Sequence, residues 1–215
     1  MNRLLERNLN WLKSQGISAG QNLDDLEQLY EFMLGRPRTS VFVEIGVWRG
    51  GTLLLLSQFV REGGLVVGVD KYGNVARNDR RNRQMAETVA QRLRDIRNLD
   101  VHIVPKLSVD AIDDVKEILG GRDVDHLHID GDHTYAGART DFETYSPLVR
   151  KGGIVQLHDI CTSPDVLGPQ PSLEDSRGFV QQYWKDLKSE YVDRTIEFAN
   201  NTENPAFTGI GIVRM

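Results

Sequence analysis

Apolar positions recur along this chain at two different periods. Near the start, Leu4, Leu5, Leu9 and Leu12 fall at helical spacing, which predicts an amphipathic helix over 3–14. A second helix is predicted over 23–34, with Leu23, Leu26, Tyr30 and Met33 on one face and Gly35 and Pro37 to end it. From residue 40 the pattern changes to short, continuous apolar runs. "SVFVEIG" (40–46), "LVVGVD" (65–70), "VHIVP" (101–105), "VDHLHID" (124–130) and "GGIVQLHD" (152–159) read as buried strands. Helical stretches separate them. "GGTLLLLSQFVRE" (50–62) is the first, and 79–97 follows with Met85, Val89, Leu93 and Ile96 as its stripe. Ser108 reads as the N-cap of a helix carrying Ile112, Val115 and Leu119, and Tyr135, Ala138, Phe142, Tyr145 and Val149 mark the next.

Five short apolar strands alternating with helices predict an α/β domain, a parallel sheet covered on both faces. The tail differs. Residues 161–176 hold three prolines and read as a long loop. A helix around 177–189 precedes two strands, 191–199 and 207–215, that form a closing antiparallel hairpin around "NNTENP". The domain proper is placed at 37–215, with residues 1–36 as helices that pack on it, cap it or contact another subunit in a homo-oligomer.

Composition narrows the class. The 215 residues suit one domain able to bury its own core, and 40% hydrophobic with 27% charged residues is usual for a water-soluble protein. A net charge of −5 argues against general binding to nucleic acid or anionic membranes. The single cysteine, Cys161, excludes an internal disulfide framework and suits a reducing compartment; a lone cysteine is most often a small buried hydrophobe. No export signal and no run of membrane-spanning length is visible, so the cytoplasm is the expected location. Residues 71–98 carry eight Lys and Arg against three acids. This stretch is either a solvated helix face or a basic rim over an anionic part of a substrate.

The turn "VEIGVWRGGT" (43–52) joins the first strand to its helix. Gly46 and Gly50 either make a tight βα turn or let the backbone approach a ligand beside the helix N-terminus. It is not the dinucleotide fingerprint. Asp70, 24 positions after Gly46, ends the second strand, where an acid can accept ribose hydroxyls. The ordered set of "VEIGVWRGGT", "VVGVD", "VDHLHIDGDHTY", "PLVRKGGIVQLHD" and the terminal hairpin resembles the class I S-adenosylmethionine (SAM)-dependent methyltransferases over about 40–215. The resemblance implies a three-layer Rossmann-like fold with a seven-stranded sheet in the order 3-2-1-4-5-7-6, its last strand antiparallel. It also implies SAM contacts at Glu44, Gly46, Gly50, Thr52, Asp70 and Asp130, with Ser108 near the adenine end.

"HLHIDGDHTYAG" (126–137) then raises a second question. Asp130 and Asp159 end adjacent parallel strands, about 4.8 Å apart, so their carboxylates can converge on one cation. Hard oxygen ligands with open positions suit Mg²⁺. "IDGDHTY" followed by "GGIVQLHD" is similar to the branch holding macrolide sugar O-methyltransferases and cephalosporin hydroxylase-like proteins. That resemblance implies Asp130 and Asp159 as Mg²⁺ ligands and His133 as the base that deprotonates a hydroxyl of a small molecule, a sugar among the candidates. The branch carries an acid where this chain has His158, which leaves the third ligand open: His158 ligates directly, orients a ligand from behind or faces away, with Asp132 as the substitute candidate. His126 and His128 read as packed strand residues, and His102 carries no functional signal. Two other readings stay open: a hydroxylase-like enzyme using a redox metal such as Fe(II), and a non-catalytic cofactor-binding domain.

Overall fold

A computed structural model describes residues 2–73, 79–161, 178–199 and 209–215. Helices α1 (Arg3–Ser14) and α2 (Leu23–Leu34) precede β1 (Thr39–Ile45). Then come α3 (Gly51–Leu56), β2 (Val60–Val69), α4 (Asp79–Arg97), β3 (Asp100–Val104), α5 (Ser108–Leu119) and β4 (Val124–Ile129). The chain continues through α6 (Tyr135–Tyr145), β5 (Val149–His158), α7 (Val180–Glu190), β6 (Thr195–Phe198) and β7 (Ile210–Arg214). The strands form one seven-stranded sheet in the order β3-β2-β1-β4-β5-β7-β6. β7 runs antiparallel to both β5 and β6, while the pairs among β1 to β5 are parallel.

This is the predicted sheet, with local differences. The apolar run after Gly50 ends its α-helix at Leu56, passes through a 3-10 turn at Ser57–Phe59, and enters β2 at Val60, five residues earlier than the sequence reading. A short apolar run fits either period, and here Val60 pairs with Thr39 of β1 across a register irregularity before Leu65 pairs with Val41. β5 likewise begins at Val149. Ser108 is the first helical residue of α5, not its N-cap; Leu107 holds that position with no side-chain bond. Leu23 and Ile96, read as stripe residues, are exposed at 52% and 59%. The proline-rich loop, apart from Cys161, lies outside the described residues, as does the "NNTENP" turn.

The sheet separates two buried clusters. Val41, Val43, Ile45, Leu127, Ile129, Val155 and Leu157 pack against α5, α6 and α7. On the other face Phe42, Val66, Ile154 and Ile212 join Leu5, Leu12, Leu26, Tyr30 and the leucines of α3. The two N-terminal helices therefore share a core with the rest of the domain, and Tyr30 Oη donates to Leu55 O at 2.7 Å. Asn2 and Asn22 cap their first turns through side-chain oxygens. No described helix is long and apolar enough to cross a membrane.

Candidate active site

At the carboxyl end of β1 the chain turns at Gly46, with φ +93°. A Cβ there would lie 2.0 Å from the Asp130 carbonyl oxygen, so the turn is pressed against the end of β4 and only glycine fits. The Asp130 amide in return donates to Ile45 O at 2.8 Å. Gly50 begins α3 in the left-handed region, with Ala86 and Val89 of α4 packed 3.1 Å from where its Cβ would be. Thr52 Oγ1 donates to Ala19 O at 3.1 Å, tying α3 to the segment between α1 and α2. Asp70, at the end of β2, accepts from the Trp48 amide at 2.7 Å and the Tyr72 amide at 3.1 Å. Both donors have positive φ, +49° and +40°, a conformation that bulky residues adopt only when the surroundings enforce it.

Glu44 sits in this turn's floor. It is fully buried, and neither carboxylate oxygen has a hydrogen-bond partner among the described residues. Burial, reinforced by the charges of Asp130 and Asp70, raises its pKa well above the usual carboxylate range. Buried acceptors left unmatched are rare in folded proteins. A ligand bearing an ammonium group and ribose hydroxyls, as SAM does, fits these acceptors at the strand ends.

The acidic cluster lies immediately alongside. Asp130, His133 and Asp159 each offer a ligand atom, and the three atoms lie within 4.8 Å of one another. His133 Nε2 is 3.3 Å from Asp130 Oδ1 and 3.5 Å from Asp159 Oδ2. His158 Nδ1 is 3.3 Å from Asp130 Oδ1 and 3.2 Å from Asp159 Oδ1. The structure therefore brings His133 and His158 both against the two carboxylates. Asp132 lies outside that close group: its Oδ1 accepts from the Thr134 amide at 2.9 Å, an Asx turn leading into α6. His133 is fixed through its backbone, which accepts from the Val180 amide at 2.9 Å. Asp159 has a φ of +61° and is 1% exposed, so its side chain is delivered by a left-handed backbone step.

The charges are mutually dependent. Burial favours neutral Asp130, but the charge of His158 and the imidazoles of His128 and His133 outweigh it and hold the carboxyl well below its usual range. Burial opposes a charge on His158, yet Asp130 and Asp159 push its pKa up to about 9. His133 is raised in the same sense: burial lowers it, and Asp130 and Asp159 more than compensate.

A family model described as a methyltransferase domain matches residues 43–160, more than half of the 215-residue chain. The chain belongs to this methyltransferase family. Its sheet order is that of the class I SAM-dependent enzymes. No curated protein matches the methyltransferase. Among solved structures it is similar to an O-methyltransferase from Bacillus cereus in complex with SAH, at 17% identity and a TM-score of 0.64, covering 100% of this chain and 92% of that one. TomG of Streptomyces achromogenes, an O-methyltransferase of tomaymycin synthesis in complex with SAM, gives 13%, 0.65, 100% and 91%. MycE of the mycinamycin pathway, in complex with Mg, SAH and mycinamycin VI, gives 21% and 0.51, over 87% of this chain and 48% of that one. At these identities the likeness is one of fold.

The remaining residues named from the sequence have contacts of their own. Ser108 is directed at α6, with its carbonyl accepting from Tyr145 Oη at 2.6 Å and its hydroxyl bonded to Asp141. Burial raises Asp141 to about 6 against that bond. Cys161 is exposed rather than a buried hydrophobe, and partial burial raises its thiol pKa, the opposite of an activated nucleophile. In the basic stretch, Arg94 donates to Val101 O and Arg97 to Val60 O, tying α4 to strand ends. Three contributors escaped the sequence reading. Trp48 and Tyr72 hold Asp70, and Gln21 reaches Asp130 from the segment before α2, with Nε2 donating to Oδ2 at 3.3 Å. Nothing periodic marks any of them.

Proposed function

We propose that the protein is a SAM-dependent O-methyltransferase acting on a hydroxyl of a small molecule, sugars included, with a divalent cation held at Asp130 and Asp159. One observation carries this reading: two carboxylates and an imidazole converge at the ends of β4 and β5, directly beside the glycine turn. MycE, crystallised with Mg, SAH and a macrolide, supports the pairing of cation and cofactor by analogy of fold. The two carboxylates are hard oxygen donors suited to Mg²⁺ or Mn²⁺, and the nearby imidazoles widen the fit to Fe(II).

SAM supplies a methyl group already activated on a sulfonium, and a cation would supply Lewis-acid polarisation of the acceptor hydroxyl. The residues do the rest. Asp130 and Asp159 would hold the cation, and through it they would orient the acceptor. His133, 30% exposed at its side chain, takes the hydroxyl proton on Nε2. Glu44 and Asp70 would hold the cofactor, supplying the positioning that an in-line transfer needs.

A second reading is favoured by His158, whose Nδ1 lies within 3.3 Å of both carboxylates. An imidazolium there would neutralise the acid pair with no cation, and methyl transfer would then be metal-independent. Chelation separates the two. SAH release from SAM, measured across a panel of hydroxylated acceptors, is expected to fall at least about tenfold in excess EDTA and to return with Mg²⁺ or Mn²⁺. Undiminished turnover in EDTA selects the second reading.

A further inference from the structure

Gln21 is separated from Asp130 by 109 positions, yet its Nε2 donates to Asp130 Oδ2 at 3.3 Å. The opposite oxygen, Oδ1, faces His133 Nε2 and His158 Nδ1, each at 3.3 Å. The amide therefore fixes which edge of the carboxylate meets the cluster. Gln21 is itself held in place. Its neighbour Ala19 accepts from Thr52 Oγ1, and a Cβ on Gly51 would lie 2.5 Å from Ala19 Cα, so this segment is seated directly on the glycine turn. The second amide atom, Gln21 Oε1, is buried and accepts no bond among the described residues. A buried amide oxygen left unmatched is unfavourable. Hydrated divalent cations of this type keep waters whose hydrogens need acceptors. An apolar side chain would avoid the unmatched oxygen and would lose the hold on Asp130.

We propose that Gln21 is a positioning residue for Asp130, so that the segment between α1 and α2 forms part of the cation half of the site. The inference rests on the cation reading above. It assigns to the N-terminal region a role in ligand orientation beyond packing. Groups that orient metal ligands typically contribute about 10- to 100-fold in metal affinity.

The test is calorimetric titration of the full chain with Mn²⁺ and, separately, with SAH. Gln21→Met keeps the length and removes both amide functions; Gln21→Asn keeps the amide on a shorter arm. The expected result is a loss of about tenfold or more in Mn²⁺ affinity for Gln21→Met and a smaller loss for Gln21→Asn, with SAH affinity within about twofold of the parent. Unchanged Mn²⁺ affinity in Gln21→Met, beside a parent that binds Mn²⁺, overturns the role of Gln21 alone. A parent that binds SAH but no Mn²⁺ overturns the cation reading and this inference together. Equal losses for both ligands, or variants that no longer fold, make Gln21 a packing residue and overturn the inference as well.

Discussion

The two faces of this sheet are built from alternate residues of the same strands, yet they differ in kind. One face presents Val41, Val43, Ile45, Leu127, Ile129, Val155 and Leu157, aliphatic throughout. The other interleaves Phe42 and Ile154 with Glu44, His126, His128, Gln156 and His158, all buried. The pairing register explains the grouping. Phe42, His126 and Ile154 are partners in one row across β1, β4 and β5, and Glu44, His128 and Gln156 in the next. The polar rows lead to Asp130 and His158 at the strand ends. Both faces bury a hydrophobic cluster, and the second also carries the polar rows that reach the candidate site. α1 and α2 bury residues on the polar side, so the site and the N-terminal helices share it.

The contrast can be broken most sharply from the aliphatic side. Leu127 is 1% exposed, and Leu127→Asn would leave a cavity and an unmatched amide. A loss of about 4 kcal/mol in unfolding free energy is expected, read from urea denaturation.

The next largest effect is pH dependence on the polar side. Burial, helped by His128 and opposed by the Gln156 bond, lowers His126 to about 3. Unfolded, it titrates near the ordinary 6.5. Its contribution to stability is therefore complete above pH 6.5 and is lost as pH falls towards 3, by up to about 1.4 kcal/mol per pH unit. His126→Gln keeps a partner for Gln156 and should flatten the profile below pH 6.5 relative to the parent. Parallel denaturation curves at pH 7, 5.5 and 4.5 check this, and a constant offset between the proteins would show that His126 is not the titrating group.

The smallest effect is the most discriminating. Neither ring nitrogen of His128 has a hydrogen-bond partner among the described residues; Glu44 Oε1 and Asp130 Oδ2 stand 3.9 and 3.8 Å away. His128→Leu should change stability by no more than about 1 kcal/mol, in either direction. The same substitution should lower turnover, because it removes a neighbour of Asp130. A loss as large as that of Leu127→Asn would mean the two faces do not differ as described.

Much of this was legible in the chain. Apolar runs alternating with helical stretches led to a parallel α/β sheet, the family resemblance supplied its strand order, and the spacing of adjacent strand ends led to Asp130 and Asp159. His133 was reached through the resemblance, as the histidine three positions after Asp130. What local pattern could not show was contact over long separations. Gln21 meets Asp130 only after β1 and β4 pair, and its segment carries no periodic signal. The roles of Trp48 and Tyr72 lie in their backbone amides and positive φ, which side-chain identity does not encode. The two imidazoles were legible to different degrees: His158 follows strand parity, whereas His133 is placed by the turn into α6 and its backbone bond to Val180.

The contact between Gly46 and the Asp130 carbonyl has a practical corollary for redesign. The glycine turn and the acid strand meet there without room for one added methyl group, so the spacing between the β1 turn and Asp130 behaves as a fixed ruler. New acceptor scope would have to come from walls that do not touch this seam. Libraries aimed at other substrates should leave residues 44–46 and 130 unchanged.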